Sequence, residues 1–193
     1  MPKQVDYEDR RRRIAEAVCL LADELGPEGV SMRDVAARAQ VSVGAVQRCF
    51  RSKEEMLLFA VGHVGERLTE RVSARLAADP AHALGHAIDE IALLREEHRA
   101  EARIWLAFVA QAVVREPLAR TLRNSYAALE DLLTRLVAEA AGNGPADPRA
   151  EARALLALAD GLTTHVLMGH LTAQAAEDVL NTHVAGLRER LRT

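Results

Sequence analysis

The stretch SMRDVAARAQVSVGAVQRCF, residues 31–50, carries two short helical patterns separated by a tight connection. Ser31 stands three residues before Asp34, an arrangement close to a capping box, in which a side-chain oxygen takes the otherwise orphan amides of a helix start. The apolar positions Met32, Val35, Ala36 and Ala39 then fall on one helical face. Gln40 and Val41 lead to Ser42, a second N-cap. Val43, Val46 and Phe50 supply the apolar members of the next helix. Two short helices with one apolar stripe each and a turn of three or four residues describe a helix-turn-helix.

The surrounding sequence extends this pattern. Upstream, Ile14, Ala17, Val18, Leu21, Ala22 and Leu25 form one stripe, and Gly26-Pro27 ends that helix. Downstream, Ser52 and Glu55 form a full capping box for a long helix from Lys53 to about Ala77. Asp79-Pro80 reads as a cap with proline at the first helical position, opening a fifth helix to about Glu97. A sixth spans roughly Glu101 to Arg115, and a seventh runs from Pro117 to about Ala141. Gly142-Asn143-Gly144-Pro145 is the clearest loop. Asp147-Pro148 opens an eighth helix to about Gly169, and a ninth covers about Ala173 to Leu191. No strand pattern or internal repeat is present. The expected fold is all-α, with about nine helices: a three-helix N-terminal domain over residues 1–52 and a helical domain over 53–193.

Composition agrees with helices. Of 193 residues, 49% are hydrophobic but only 3% aromatic, and the abundant Ala, Leu, Glu and Arg lose little entropy in a helix. Cys19 and Cys49 both fall inside helical patterns, so a disulfide framework is not expected and a reducing cytoplasm is the simpler setting. No run of 18 apolar residues suggests a membrane span; the best segment, Ile104–Val114, is short and contains Gln111. His82 and His86 share a helical face, but no third residue has ligand spacing, so no metal or other cofactor is expected. The chain lacks a phosphate loop, a Gly-x-Ser-x-Gly elbow and a His-Glu-x-x-His pair, which argues against an enzyme and leaves no catalytic candidate.

The net charge of −3 hides a local surplus. Between Arg10 and Lys53 nine basic residues face five acidic ones, and neutralising phosphates supplies most of non-specific DNA affinity. In a helix-turn-helix the second short helix enters the major groove. Here it begins Ser42-Val43-Gly44-Ala45-Val46-Gln47-Arg48. Gly44 and Ala45 are small and allow close approach to DNA. Gln47 suits an adenine edge, Arg48 a guanine or a phosphate, and Val43 a thymine methyl. Ser31, Arg33 and Lys53 lie at helix starts, where backbone amides attract phosphate. The double-stranded DNA interface is therefore expected to comprise Ser31, Arg33, Ser42, Val43, Gly44, Ala45, Gln47, Arg48 and Lys53.

Residues 12–57, RRIAEAVCLLADELGPEGVSMRDVAARAQVSVGAVQRCFRSKEEML, resemble the DNA-binding domain of the tetracycline-repressor (TetR) family. Gly26, Ser31, Val35-Ala36, Val41-Ser42, Gly44, Val46, Phe50 and Ser52-Lys53-Glu54 carry the resemblance. Three positions depart from it. Gln40 replaces a frequent turn Gly, where a positive φ is costly for any other residue. Gln47 replaces a Tyr that commonly touches the DNA backbone, and Cys49 replaces His or Tyr. Cys49 is read as a small buried filler rather than a redox switch.

The resemblance implies a homodimer and a helical regulatory domain. Apolar residues on more than one face of the eighth helix, and the ninth-helix stripe Ala173, Ala176, Leu180, Val184, Leu187 and Leu191, point to packing with a twofold mate through these last two helices, the alternative being burial within one subunit. The segments RIWLAFVAQAVVREPLA and ALADGL are similar to the BetI-like branch, more loosely than the first match. They suggest a small-molecule chamber between helices four to eight, with Trp105, Phe108, Gln111, Asp160, Leu162, His165 and Met168 as candidates. Asp160 interrupts an apolar run and needs a partner, either a cationic ligand or a neighbouring Arg or helix terminus. The expected protein is a cytoplasmic, dimeric regulator, a repressor released from a near-palindromic operator by an effector, with the opposite sign also compatible. The rival class is a helical small-molecule binding protein or enzyme whose basic N-terminal unit serves protein contacts.

Overall fold

Hydrogen-bonding side chains in the sequence set several of the helix starts. The computed structural model describes residues 2–79, 82–141 and 147–192, and these contain nine α-helices and no strand. Helix α1 is Pro2–Gly29, with a break at Gly26 (φ 72°, ψ 157°) and one further turn beyond it. Helices α2, Met32–Arg38, and α3, Val43–Cys49, follow. The Ser31 hydroxyl accepts from the Asp34 amide at 3.2 Å and donates to the Asp34 carboxylate at 2.6 Å. The Ser42 Oγ accepts from the Ala45 amide at 3.1 Å. At the start of α4, Lys53–Ala78, Ser52 accepts from the Glu55 amide at 3.0 Å. Glu55 in turn accepts from the Arg51 amide at 2.8 Å, closing the expected box one residue early. Asp147 caps α8, Pro148–Leu167, through the amides of Arg149 and Ala150.

The middle of the chain departs from expectation. Helix α5 is Ala83–Ile91, ending well before Glu97, and His82 stands at its N-cap without a side-chain cap bond. Pro80 lies outside the described residues, as does the loop expected at 142–145. The helix stops because Leu93 takes a left-handed φ of 49°. A 3-10 turn, Glu96–His98, leads directly into α6, Arg99–Ala112. Helices α7, Glu116–Ala141, and α9, Ala173–Arg192, complete the order.

Contacts divide the chain into two units. The first is Met1–Glu66 with Arg103–Leu122; the second is Arg67–Ala102 with Arg123–Thr193. Helix α4 thus contributes its first half to one and its second half to the other. In the first unit Ile14, Val18, Val35, Val46, Phe50 and Met56 are fully buried. The Arg11 guanidinium lies over the Phe59 and Phe50 rings, 4.2 and 4.9 Å from their centroids. Asp23 takes a two-pronged pair from Arg103 at 2.6 and 2.8 Å, and Glu28 pairs with Arg115 at 2.8 Å, so the end of α1 is tied to the segment around α6.

The second unit closes on Val72, Ile88, Leu133, Leu155, Leu180 and Leu187. Beside this core lies a charged hub. The Glu90 side chain is only 4% exposed and meets Arg71, Arg75 and Arg95 at 3.2, 2.9 and 3.3 Å. Arg71 also grips Glu101 with two bonds at 3.0 and 2.9 Å. The ninth-helix stripe Ala176, Leu180, Val184, Leu187 and Leu191 is buried within this same unit. It is therefore already covered inside one subunit and is not itself a surface for a mate.

Candidate nucleic-acid interface

The turn between α2 and α3 is built by Gln40, whose φ of 55° lies in the left-handed region. The Val41 amide reaches the Ala36 carbonyl at 2.9 Å, folding the chain back tightly. The Arg13 guanidinium donates to the Ala39 carbonyl at 3.1 Å and holds the turn against α1. Helix α3 then divides cleanly. Ala45, Val46 and Cys49 point into the unit's core, while Val43, Gln47 and Arg48 are exposed.

This sorting places each expected contact. Val43, Gln47 and Arg48 share the open side with Ser42, and Arg33 is exposed on α2. Ala45 belongs to the other side: its methyl is buried, so it contributes packing and no groove-facing side chain. Ser31 and Ser42 spend their side chains as caps. Lys53 is half-buried, and its ammonium donates to the Glu28 carbonyl at 2.6 Å, which makes it a tie to the end of α1. Gly44 has ordinary backbone, and an added Cβ would meet only Arg48 Nη1 at 3.6 Å and Ser42 Oγ at 4.0 Å. Nothing inside the chain requires a glycine there, although a mid-helix glycine costs ~1 kcal/mol against alanine.

The basic surplus is partly consumed internally. Arg11 and Arg13 are the stacking and turn-holding residues just described, and Arg38 makes a two-pronged pair with Glu24 at 2.9 and 2.8 Å. Arg12, Arg33, Arg48 and Arg51 are exposed. Burial pushes the Cys49 thiol up, against the pull of Arg10, Arg11 and Arg48. A buried thiol held protonated is a poor nucleophile.

The seven effector candidates separate. Trp105, Phe108 and Gln111 fall in the first unit; Phe108 is fully buried, and Gln111 reaches the Glu28 carboxylate at 3.5 Å. Asp160, Leu162, His165 and Met168 fall in the second unit and do not converge within it. Asp160 is half-buried and accepts from the Tyr126 hydroxyl at 2.7 Å. Burial raises its carboxyl above the ordinary value, and the Tyr126 bond pulls it partly back. The partner found for Asp160 is thus a neighbouring tyrosine, not the expected arginine, helix terminus or cation. Leu162 is core. His165 and Met168 face outward, Met168 with 66% exposure, and so do not line a chamber within this unit. They close α8 in a Schellman motif. The His170 amide bonds the His165 carbonyl, the Gly169 amide bonds the Val166 carbonyl, and the two imidazoles stack with centroids 4.9 Å apart. What the sequence did not reveal is a cavity of about 400 Å³ where α5 breaks before α6, lined by none of the seven.

The His82 and His86 pair has a different use. His86 Nδ1 lies 3.0 Å from the Arg75 guanidinium, which only donates. His86 therefore carries its proton on Nε2, aimed at Asp79 at 3.1 Å. His82 reaches the same carboxylate oxygen at 2.9 Å. Among the described residues no group of three or more His, Cys, Asp or Glu side chains is placed to hold a metal, and no helix is long and apolar enough to cross a membrane.

Comparison with known proteins decides what this head belongs to. The pattern of bacterial regulatory proteins of the tetR family matches residues 14–60, and that of the BetI-type transcriptional repressor C-terminal domain matches residues 80–189. This chain belongs to the TetR family. The HTH-type transcriptional regulator PksA of Bacillus subtilis (strain 168) is 33% identical over 171 residues, covering 87% of this chain and 83% of PksA. The regulator BetI of Paraburkholderia phytofirmans is 31% identical over 169 residues, 84% of either chain. A transcriptional regulator from Rhodococcus sp. Rha1 superposes with a TM-score of 0.81 at 31% identity, over 93% of this chain and 96% of that one. The TetR-family chain is accordingly a DNA-binding transcriptional regulator and not an enzyme, which sets aside the rival reading. Its basic helix-turn-helix is the DNA-binding head.

Proposed function

We propose that this regulator is a dimeric repressor that leaves a near-palindromic operator when a small molecule occupies its helical domain. The observation that carries the DNA side is the sorting of α3, with Val43, Gln47 and Arg48 open on a helix whose other face is buried. Gln47 reads a base edge, Arg48 a guanine or a phosphate, and Gly44 lets the backbone come close. Arg33 supplies phosphate affinity from the start of α2. A twofold pair of such heads meets successive major grooves about 34–36 Å apart, or a multiple of that. As a transcriptional regulator whose relatives are bacterial, the protein works in the cytoplasm beside the chromosome.

The surfaces left for a mate on α8 and α9 are outward-facing and small. Ala154, Ala157 and Gly161 follow one another along α8, and Ala175, Val179, Thr182 and Gly186 along α9, at helical spacing. Small residues let two helix pairs approach closely in a four-helix bundle. Helix α4, shared between the two units, is the covalent route by which an effector changes head spacing. The coupling expected in such a device is about 1–3 kcal/mol.

Selection of bound sequences from a random duplex library by the full-length chain tests the reading. The expected outcome is a near-palindromic consensus whose affinity falls steeply with salt. Gln47→Ala should change the consensus, and Arg33→Ala should weaken all sequences alike. Recovery of no consensus, or salt-insensitive binding, overturns it.

A further inference from the structure

We propose that the cavity at the break between α5 and α6 is a binding site for an amphipathic organic anion, a carboxylate with a short alkyl tail. The inference deepens the effector reading above and rests on it only for the consequence at DNA. The cavity lies wholly in the second unit and holds about 400 Å³, within the range of small-molecule sites. It exists because α5 stops at Ile91, and the chain turns out of the helix at Leu93 before α6 begins. A leucine in the left-handed region costs about 1–2 kcal/mol that glycine would avoid. Keeping an apolar side chain there places Leu93 and Leu94 as one apolar wall, with Val166, Leu167 and Leu171 as the other.

The polar atoms around this apolar space select the sign of the guest. The Thr163 hydroxyl is already engaged by the carbonyls of Ala92 and Ala159, at 2.5 and 2.8 Å. The carbonyls of His165 and Val166 are taken by the α8 cap, and the Thr172 hydroxyl caps the Ala175 amide at 3.1 Å. Arg95, Glu96 and Arg99 line the cavity, each arginine with five N–H donors. Arg95 spends one at 3.3 Å on Glu90, and the same nitrogen has an ion contact with the exposed Glu97 at 3.7 Å. Arg99 has an ion contact with Glu96 at 3.5 Å, and that glutamate side chain is 87% exposed and able to swing into water. His170 belongs to the same lining. A site whose walls are apolar and whose lining carries two guanidiniums against the single carboxylate of Glu96, itself paired with Arg99, suits an acceptor-rich head on an apolar tail. A cationic head would face two arginines against one carboxylate already paired with Arg99.

Calorimetric titration of the full-length chain with octanoate tests this, beside octanol and octyltrimethylammonium as probes with the same tail. The expected result is one octanoate per chain, with octanol and the ammonium compound at least tenfold weaker. Arg99→Gln should weaken octanoate at least tenfold without lowering Tm, because the Arg99 side chain is 43% exposed and its ion contact is with the exposed Glu96. Equal binding of the ammonium compound, no octanoate binding at millimolar concentration, or unchanged affinity in Arg99→Gln overturns the site. DNA anisotropy in the same samples separates the two readings. Octanoate that binds without altering DNA affinity upholds the site and removes its effector role.

Discussion

Gly44 sits inside a seven-residue helix where alanine would fit without a clash. If its purpose is close approach to DNA, Gly44→Ala should stabilise the fold by about 0.5–1 kcal/mol while weakening operator binding at least tenfold. Chemical denaturation and anisotropy read the two effects separately, and a variant that is more stable with unchanged DNA affinity removes glycine from the interface. Asp160 gives a second residue-scale test. Its carboxyl is raised by burial, against the pull of Tyr126, so the unfolded chain loses this proton first as pH rises. Stability should therefore fall as pH climbs from about 3.8 through the raised folded value. Asp160→Asn keeps an acceptor for Tyr126 and cannot ionise. Its Tm should equal or exceed that of the parent at pH 7, with the difference shrinking toward acid; a lower Tm at pH 7 would show a charge the fold depends on. Single residues were legible where one face of a short helix decides the matter, as at Val46 and Gln47. They were not where a distant partner decides: nothing near Lys53 in sequence announces the Glu28 carbonyl, and nothing near Asp160 announces Tyr126.

The elements were legible wherever their ends are local chemistry. Ser31, Ser42, Ser52 and Asp147 each occupy the capping position their spacing implies, because a cap needs only the next three amides. Helix α3 is too short to persist alone, and Ser42→Ala should cost about 1 kcal/mol, measured as a lower denaturation midpoint at unchanged slope. Gln40 carries the opposite sign. Its φ is left-handed at 55°, in keeping with the turn glycine that the family resemblance implies there. Gln40→Gly removes about 1–2 kcal/mol of strain against about 0.5–1 kcal/mol of added chain entropy. A modest rise in Tm is the expected result; a fall would mean that the Gln40 side chain contributes packing. The end of α5 was hidden because Leu93 breaks the helix with a residue that carries no stop signal. Periodicity continued past it toward Glu97, and only tertiary packing, with Leu93 and Leu94 buried, decides otherwise.

At the scale of the whole molecule the long-range ion pairs organise what periodicity cannot. Arg103 reaches Asp23 across eighty positions, which is why the α6 segment groups with the head. In the second unit Glu90 collects three guanidiniums from α4 and the α5–α6 connection while almost wholly buried. Burial by itself would push its carboxyl up, but the bonds from Arg75 and Arg71, with the charges of His98 and Arg95, hold it below the ordinary value. A depressed folded value means that the folded state resists protonation. The stability Glu90 contributes is thus complete above about pH 4.5 and is lost as the pH falls through the lower folded value. Glu90→Gln leaves three arginines around a neutral amide. Breaking a fully buried pair costs about 3–5 kcal/mol, and because these guanidiniums are partly solvated, about 2–3 kcal/mol is expected here. Urea denaturation at pH 7 and pH 3.5 checks both statements together. The variant should be much weaker than the parent at pH 7, and the gap should narrow in acid as the parent's carboxylate is protonated. A gap of the same size at both pH values would place the cost in lost packing rather than in charge.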